Sequence, residues 1–378
     1  MKVVLQNSRR NWVQLWGGDS TQIFETAKAL QDLGLSVDVD ESSRPLSLSG
    51  IDILHIFNIQ TAVNGADLMK VRGPALVLSP IYWDMRHLNR TLYREYPGMY
   101  DVRFLRQLAE RNWKLAYYLR YLYKYPEHSL RLRKFYDRAR FMLNSAQVLL
   151  PNSHAELEII VREFSMPNLR ASAVIVPNAV EPPEETLLDS DLTDSEPKSS
   201  VPRPYVLEVA NFSPVKGQLT LIKAFQNHKD IPIVLVGRSS HQRYWEECNR
   251  LAGKRGNTFI FHEVPHSKIS KFYQSAKVHV LPSLRESPGL ATLEAAVNGS
   301  NCVVSFHGPV SEYFGHDVWY CDPTDQKSIY RAVSNAWNAE PKLNLKNRIL
   351  DRFVWQKAAM ATLDAYLFAM NFVGSNST

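Results

Sequence analysis

Cysteine is scarce in this chain. Cys248, Cys302 and Cys321 are the three in 378 residues, an odd number with no pair at a zinc-ligand spacing. That excludes a disulfide framework or a zinc knuckle and leaves a reduced chain with structural thiols. Long apolar runs are missing as well. Segments such as Ile231-Pro232-Ile233-Val234-Leu235-Val236 are strand-sized, well short of the ~20 residues that a spanning helix needs. The N-terminus passes from Met1-Lys2 through Val3-Val4-Leu5 into polar Gln6-Asn7-Ser8, too short an apolar stretch for a signal peptide. The expected location is cytoplasmic. No short internal repeat runs through the chain.

What is present is ordinary for a globular protein: 45% hydrophobic and 22% charged residues. The length exceeds that of a single core, so two domains are expected. The net charge of +6 is unevenly placed. Between Asp84 and Phe141 there are 14 Lys/Arg against 6 Asp/Glu, and the remainder carries 30 against 32. That segment also holds nine of the 17 tyrosines.

Apolar periodicity lays out the elements. Strands are expected over Met1–Leu5, Leu35–Val39, Ile51–Phe57, Ala75–Leu78, Ala146–Pro151 and Ala173–Val176. Helices are expected over Ser20–Leu33, Asp101–Tyr125, Leu130–Met142 and after an N-cap at Ser153. Glu181–Pro204 is rich in Pro, Ser, Asp and Glu and reads as a linker or long loop. Alternation then resumes with strands Tyr205–Ala210, Ile231–Val236, Thr258–Phe261 and Val278–Leu281. Helices Gln218–Asn227, Tyr244–Lys254 and Lys268–Ala276 lie between them. Strand–helix alternation in both halves implies two α/β domains with parallel sheets, and ligands bind such sheets at the carboxyl ends of the strands.

Two stretches carry chemistry. In Leu281-Pro-Ser-Leu-Arg-Glu-Ser-Pro-Gly-Leu-Ala-Thr-Leu-Glu, a strand ends, a loop carries Glu286, and a helix is expected to start near Ser287-Pro288. The amides of Ser287, Gly289 and Leu290 would then lie at the positive end of the helix, a setting for a phosphate. Glu294, eight residues after Glu286, is placed to accept hydrogen bonds from sugar hydroxyls. The alternative is a capped helix with a surface Glu. In Val209-Ala-Asn-Phe-Ser-Pro-Val-Lys-Gly217, Lys216 falls where a loop meets a helix and could hold a diphosphate as a point charge, or the Lys-Gly pair could be a plain turn.

Taken together, these stretches resemble glycosyltransferase family 4. The family's Glu-(seven residues)-Glu signature matches Glu286 to Glu294 with Gly289, Leu290, Ala295 and Gly299, and its Arg-(four residues)-Lys-Gly element matches Lys216-Gly217, with Asn211 in place of the Arg. Its glycine-rich first loop matches Gly17-Gly18, and its Pro-Asn-Gly hinge loosely matches Pro177-Asn178-Ala179. Val236-Gly237-Arg238, Leu281-Pro282-Ser283 and the turn from Gly308-Pro309 to Glu312 are further similarities. The family's first-domain His is replaced by Trp83, ahead of Asp84.

The resemblance implies the α/β GT-B fold, two facing Rossmann-like domains with a C-terminal helix crossing back to the first. The implied boundaries are an acceptor-side domain over 1–180, a linker over 181–204, a donor-nucleotide domain over 205–355 and the returning helix over 356–378. It implies a retaining transferase that moves a sugar from a nucleoside diphosphate sugar to a glycan or lipid-linked acceptor, with no cofactor and no metal. Glu286, Lys216 and Asp84 are its catalytic residues by this reading. Donor contacts fall to Gly18, Asn211, Lys216, Gly237, Arg238, Val264, Glu286, Ser287, Gly289, Leu290 and Glu294. Glu286 would lie beside the transferred sugar, Glu294 at the ribose hydroxyls, and Lys216 with the Gly289-Leu290 amides at the diphosphate. A sugar-nucleotide epimerase of the same fold and a non-catalytic glycan- or partner-binding member are the alternatives.

Asp38-Val39-Asp40 spells a metal-diphosphate motif of other glycosyltransferases, but at the end of a strand it reads as a strand terminus. Asp189-Ser190-Asp191 reads as linker composition, His55 as a structural residue at a strand end, and His87, His154 and His307 as surface or loop residues. The basic, tyrosine-rich stretch over 86–140 lacks any nucleic-acid recognition signature. Two readings stay open for it: a solvated helical face over an aromatic core, or peripheral docking on the anionic inner face of the membrane. Docking predicts co-sedimentation with anionic but not neutral liposomes, lost in high salt or when Arg131, Arg133 and Lys134 become Glu. Equal recovery in the supernatant with both lipids would leave the solvated face.

Overall fold

A computed structural model of the chain describes residues 1–42, 49–83, 128–183, 201–306 and 308–375. The expected helix Asp101–Tyr125, most of the basic stretch and of the linker, and Asp84, His87, Asp189, Asp191 and His307 lie outside the described residues. Two compact units emerge. One takes in the described residues up to Trp83, those from 128 to Ala179 and those from Phe353 onward; the other takes in those from Val180 to Arg352.

The first unit is built on a parallel sheet of β1 (Lys2–Asn7), β2 (Ser36–Asp40), β3 (Ile53–Phe57), β4 (Ala75–Ser79) and β5 (Val148–Leu149), in the order β2-β1-β3-β4-β5. Its central strands are buried on both faces, which is why they read as unbroken apolar runs rather than alternating ones. Helix α1 (Gly18–Asp32) follows the first loop. Helix α2 (Ala62–Gly65) follows β3, and α3 (His128–Ser145) packs against that region. Helix α4 (His154–Phe164) starts where Ser153 accepts from the Glu156 amide at 3.0 Å, as its N-cap role requires.

The expected strand Ala173–Val176 is reduced to a single bridge, Leu149 to Ala173. The amides of Val174 and Val176 still donate to Leu149 and Pro151, but β5 is two residues long and Pro177 follows, so no ladder extends.

The second unit holds β6 (Tyr205–Val209), β7 (Ile233–Val236), β8 (Thr258–Phe261), β9 (Ala276–Leu281), β10 (Asn301–Ser305) and β11 (Trp319–Cys321). They form one parallel sheet in the order β11-β10-β9-β6-β7-β8. Helices α5 (Gln218–Ala224), α6 (Gln242–Arg255), α7 (His266–Ser275), α8 (Leu290–Val297), α9 (Val310–Phe314), α10 (Gln326–Asn338) and α11 (Leu343–Arg352) connect and flank the strands. Helix α5 is shorter than the expected Gln218–Asn227. It stops at Phe225, whose buried ring turns into the core.

Helix α12 (Trp355–Ser375) returns to the first unit. There Tyr366 and His55 share a hydrogen bond of 2.8 Å, and the other ring nitrogen of His55 meets Ser79 Oγ at 2.9 Å. Burial pushes the His55 pKa down to about 3, so the ring is a neutral structural link. All three cysteines are buried free thiols.

One cation organises the far end of the second sheet. Arg255, 1% exposed, donates to the carbonyls of Phe225 (2.9 Å), His228 (2.8 Å), Ile231 (2.6 Å) and Asn257 (2.7 Å) and to Thr258 Oγ1 (2.8 Å). Burial lowers its pKa to about 10, which still leaves it charged at neutral pH. Arg255→Ala strips these acceptors of their donor and is expected to cost about 3 kcal/mol or more. Arg255→Lys should recover little of that, because an ammonium cannot reproduce the fork. Urea unfolding of both variants checks it; a loss near zero would mean that the carbonyls find other donors.

Candidate functional site

In the second sheet the chain leaves β6 toward β7 and β8, and leaves β9 toward β10 and β11. The two strands are neighbours, so their outgoing loops part at their carboxyl ends and open a crevice. The loop after β6 carries Asn211 and Lys216; the loop after β9 carries Glu286 and Gly289.

These loops touch through backbone. The Leu284 amide donates to Val215 O at 2.7 Å, and Lys216 N to Ser213 O at 3.0 Å. Gly217 has φ +89, and a Cβ there would lie 2.4 Å from Pro282 O. Both the dihedral and the contact therefore require glycine. A Cβ at Gly237 would lie 2.0 Å from Ala210 O, and one at Gly308 would lie 2.7 Å from Glu286 O, so the loops after β7 and β10 close on the same place.

The result is a direct ion pair, Lys216 Nζ to Glu286 Oε1 at 2.5 Å, with side chains 28% and 10% exposed. Helix α8 begins beside it, but at Leu290 rather than near Ser287-Pro288. Gly289 has φ +97, outside helical space, so Ser287 and Pro288 stay in the loop. The first helical bonds run from Thr292 N and Leu293 N to Gly289 O. The amides of Leu290 and Ala291 precede them and form the positive end of the helix. The Ser287 amide is thus not part of the first turn, and Ala291 takes the place expected of it.

Glu294 lies one turn further along α8, where its carboxylate accepts from the Tyr273 hydroxyl at 2.8 Å. Burial, and then Glu294 itself, push the Tyr273 pKa well above its usual value, so it remains a donor. On the other side of β6, Asn211 is exposed at the strand end, and its carbonyl accepts from Gln218 Nε2. Phe212 N donates to Arg238 O at 2.7 Å, which sets the exposed Arg238 beside that loop. Val264 is half-buried in the loop after β8.

The structure therefore gathers Lys216, Glu286, Gly289 and Leu290 at one point, with Asn211, Gly237 and Arg238 on the adjoining strand ends. Gly18 belongs to the first unit, at the start of α1. There Arg9 makes a two-pronged pair with Asp19 (2.8 Å on each prong) and donates to Leu15 O at 2.8 Å, fixing the loop before Gly17-Gly18. That clamp was not legible in the sequence, where Arg9 is one of many surface-type arginines.

Asp40 ends β2, and its carboxylate accepts from Gln6 and Ser42. Among the described residues no group of three His, Cys, Asp or Glu is arranged to hold a metal ion. His154 is exposed at the start of α4. Glu208, not among the residues expected at the site, is buried on β6 just below the Lys216 loop. Its signal was a carboxylate inside an otherwise apolar strand.

Gly217→Ala meets both a forbidden dihedral and the Pro282 carbonyl, and is expected to cost about 2–3 kcal/mol. Gly34→Ala is the control: φ +86 with nothing within 4 Å of its Cβ, so only the dihedral is strained. Thermal unfolding should show a clearly larger drop for Gly217→Ala. Equal drops would mean that the loop contact carries no energy.

Residues 190–349 match the family model "Glycosyl transferases group 1". The chain is 28% identical over 180 residues to an uncharacterized glycosyltransferase of Methanocaldococcus jannaschii, an alignment covering 45% of this chain and 46% of the other. It is 30% identical over 151 residues to a D-inositol 3-phosphate glycosyltransferase of Streptomyces bingchenggensis, covering 37% and 33%. The alignments thus span less than half the length of these curated relatives. In fold, the chain is similar to sucrose-phosphate synthase from Thermosynechococcus elongatus (TM-score 0.70, 17% identity, 98% of this chain and 100% of the other). It is also similar to the catalytic domain of starch synthase IV from Arabidopsis thaliana bound to ADP and acarbose (TM-score 0.64, 13% identity, 98% and 99%). The group 1 match thus falls on the residues that build the second sheet and its crevice, and the two parallel-sheet units share the GT-B architecture of these enzymes.

Proposed function

We propose that the protein transfers a sugar from a nucleoside diphosphate sugar to a hydroxyl of a glycan or lipid-linked acceptor, with retention at the anomeric carbon and without a metal. The observation that carries this reading is the Lys216–Glu286 pair at the crevice between β6 and β9, beside the start of α8. An ammonium and two open helix-end amides offer positive charge to a diphosphate in a partly enclosed place. Glu286 neutralises that lysine. A bound donor replaces it: the diphosphate takes Lys216, and the Glu286 carboxylate is released to the sugar hydroxyls. The neighbour crystallised with ADP and acarbose, and another similar in fold from Anabaena crystallised with UDP and glucose, support a donor of this class.

In the transfer, the bond from the anomeric carbon to the diphosphate oxygen breaks and a bond to the acceptor oxygen forms on the same face. The acceptor proton passes to the departing phosphate oxygen. Lys216 and the Leu290 and Ala291 amides stabilise the charge that grows on the leaving group. Glu286 orients the sugar, and Glu294, held by Tyr273, takes the ribose hydroxyls. A surface polysaccharide or lipid-linked glycan is the acceptor class, reached from the cytoplasmic side with the 86–140 stretch on anionic lipid.

Lys216→Ala is expected to lower kcat/KM by about 100-fold or more, the scale of one lost transition-state contact. Wild-type activity should persist in EDTA. The assay is turnover of UDP-, GDP-, ADP- and dTDP-sugars with and without glycan acceptors. Near-normal activity of the variant would sink the diphosphate assignment, turnover without acceptor would point to an epimerase, and loss in EDTA restored by manganese would overturn the metal-free chemistry.

A further inference from the structure

Glu208 is the third residue beneath the Lys216–Glu286 pair. It lies within the apolar run Tyr205-Val-Leu-Glu-Val, paired in register with Leu235 of β7. Strand alternation gives it the face of Val206, which packs among Leu235, Tyr244 and Cys248. It is 1% exposed, and neither carboxylate oxygen has a hydrogen-bond partner among the described residues. A valine or leucine at that position would suit the core better, since a buried polar group without a partner destabilises the fold. A residue that costs stability in this way is a place to look for function. The charged groups that act on Glu208 are Lys216, on the loop its own strand leads into, and Glu286.

We propose that Glu208 is a positioning residue which, as a neutral carboxylic acid, keeps the Lys216 ammonium at the phosphate subsite when Glu286 turns to the sugar. This rests on the donor-site reading above. Lys216 is held by Glu286. Once the donor's hydroxyls occupy that carboxylate, the lysine loses its lateral partner, and the polar group beneath it is Glu208.

The acid form is the one that serves. Two ionised carboxylates around one lysine would leave a net negative charge facing a diphosphate. A neutral acid keeps the ammonium in place through its dipole and does not compete with phosphate. Burial drives Glu208 to that form, and the neighbouring Glu286 acts in the same direction against Lys216.

The test compares Glu208→Leu and Glu208→Gln with wild type in full-length protein. Calorimetric binding of UDP, GDP, ADP and dTDP is measured beside kcat, donor KM and Tm. Glu208→Leu should weaken binding of the preferred nucleotide, and raise donor KM, by about tenfold, with kcat at saturating donor within about threefold of wild type. Its Tm should be unchanged or higher, because an unsatisfied group has been removed. Glu208→Gln, an isostere of the neutral acid, should restore donor affinity to within about threefold. A carboxyl 13C resonance, assigned by its absence in Glu208→Gln, should show the protonated form at pH 7.

Unchanged nucleotide affinity in Glu208→Leu would overturn the proposal, as would Glu208→Gln binding as weakly as Glu208→Leu, or an ionised resonance at pH 7. Wild type that binds none of the four nucleotides would bring down the donor-site reading itself, and with it any role for Glu208 there.

Discussion

The contact between Lys216 and Glu286 ties together two loops that the chain topology pulls apart. β6 and β9 are hydrogen-bonded neighbours, yet their connections run to opposite sides of the sheet. Something must close the loops against each other at the strand ends, and an ion pair that is mostly shielded from water does so with little screening. Its formation depends on backbone approaching backbone. Gly217 against Pro282, Gly237 against Ala210 and Gly308 against the Glu286 carbonyl each leave no space for a Cβ. The glycines are what allow four loops to converge; the ion pair is what the convergence produces.

Under the proposed function, the same pair also lets the lysine pass from one anionic partner to another. A lone ammonium at the edge of a core would be costly, and Glu286 offsets that cost. The proposed exchange of carboxylate for phosphate would leave the lysine neutralised throughout. The helix end at Leu290 adds positive potential without a side chain that needs a counter-ion, so it stays open.

Away from the crevice, buried polar residues hold the scaffold. Arg255 gathers carbonyls from two connections, Phe225 to Ile231 and Gly256 to Asn257, at the far end of the second sheet. In the first unit, His55 bridges Ser79 on β4 and Tyr366 on the returning helix α12, fastening the last helix to the first sheet. Arg9 and Asp19 fix the first loop of that unit, which follows the first strand as the Lys216 loop does in the second. Each is a fully or largely satisfied network, in contrast to Glu208, and that contrast is what singles Glu208 out.

Much of this was legible in the residue order. Apolar runs and their spacing marked nearly every described strand of both sheets up to β9, because buried parallel strands must be continuously hydrophobic. Lys216, Gly217, Glu286 and Gly289 stood out because turn chemistry and charge are local properties. Other features waited on the fold. Helix α8 begins at Leu290 rather than Ser287 because Gly289 takes a positive φ, at a place where a Cβ would lie 2.9 Å from the Leu281 side chain at the end of β9. Ala173–Val176 became one bridge because its partner strand is two residues long. Glu208 looked like a stray polar residue in a strand; its burial against β7 followed from the fold. The sequence by itself determined the two alternating α/β halves and the charges that the site uses, since these follow from periodicity and side-chain chemistry. Only the tertiary structure decided that Lys216 meets Glu286 across 70 residues and that Glu208 is buried near them with no hydrogen-bond partner among the described residues, because burial and ion pairing are set by which distant segments pack together.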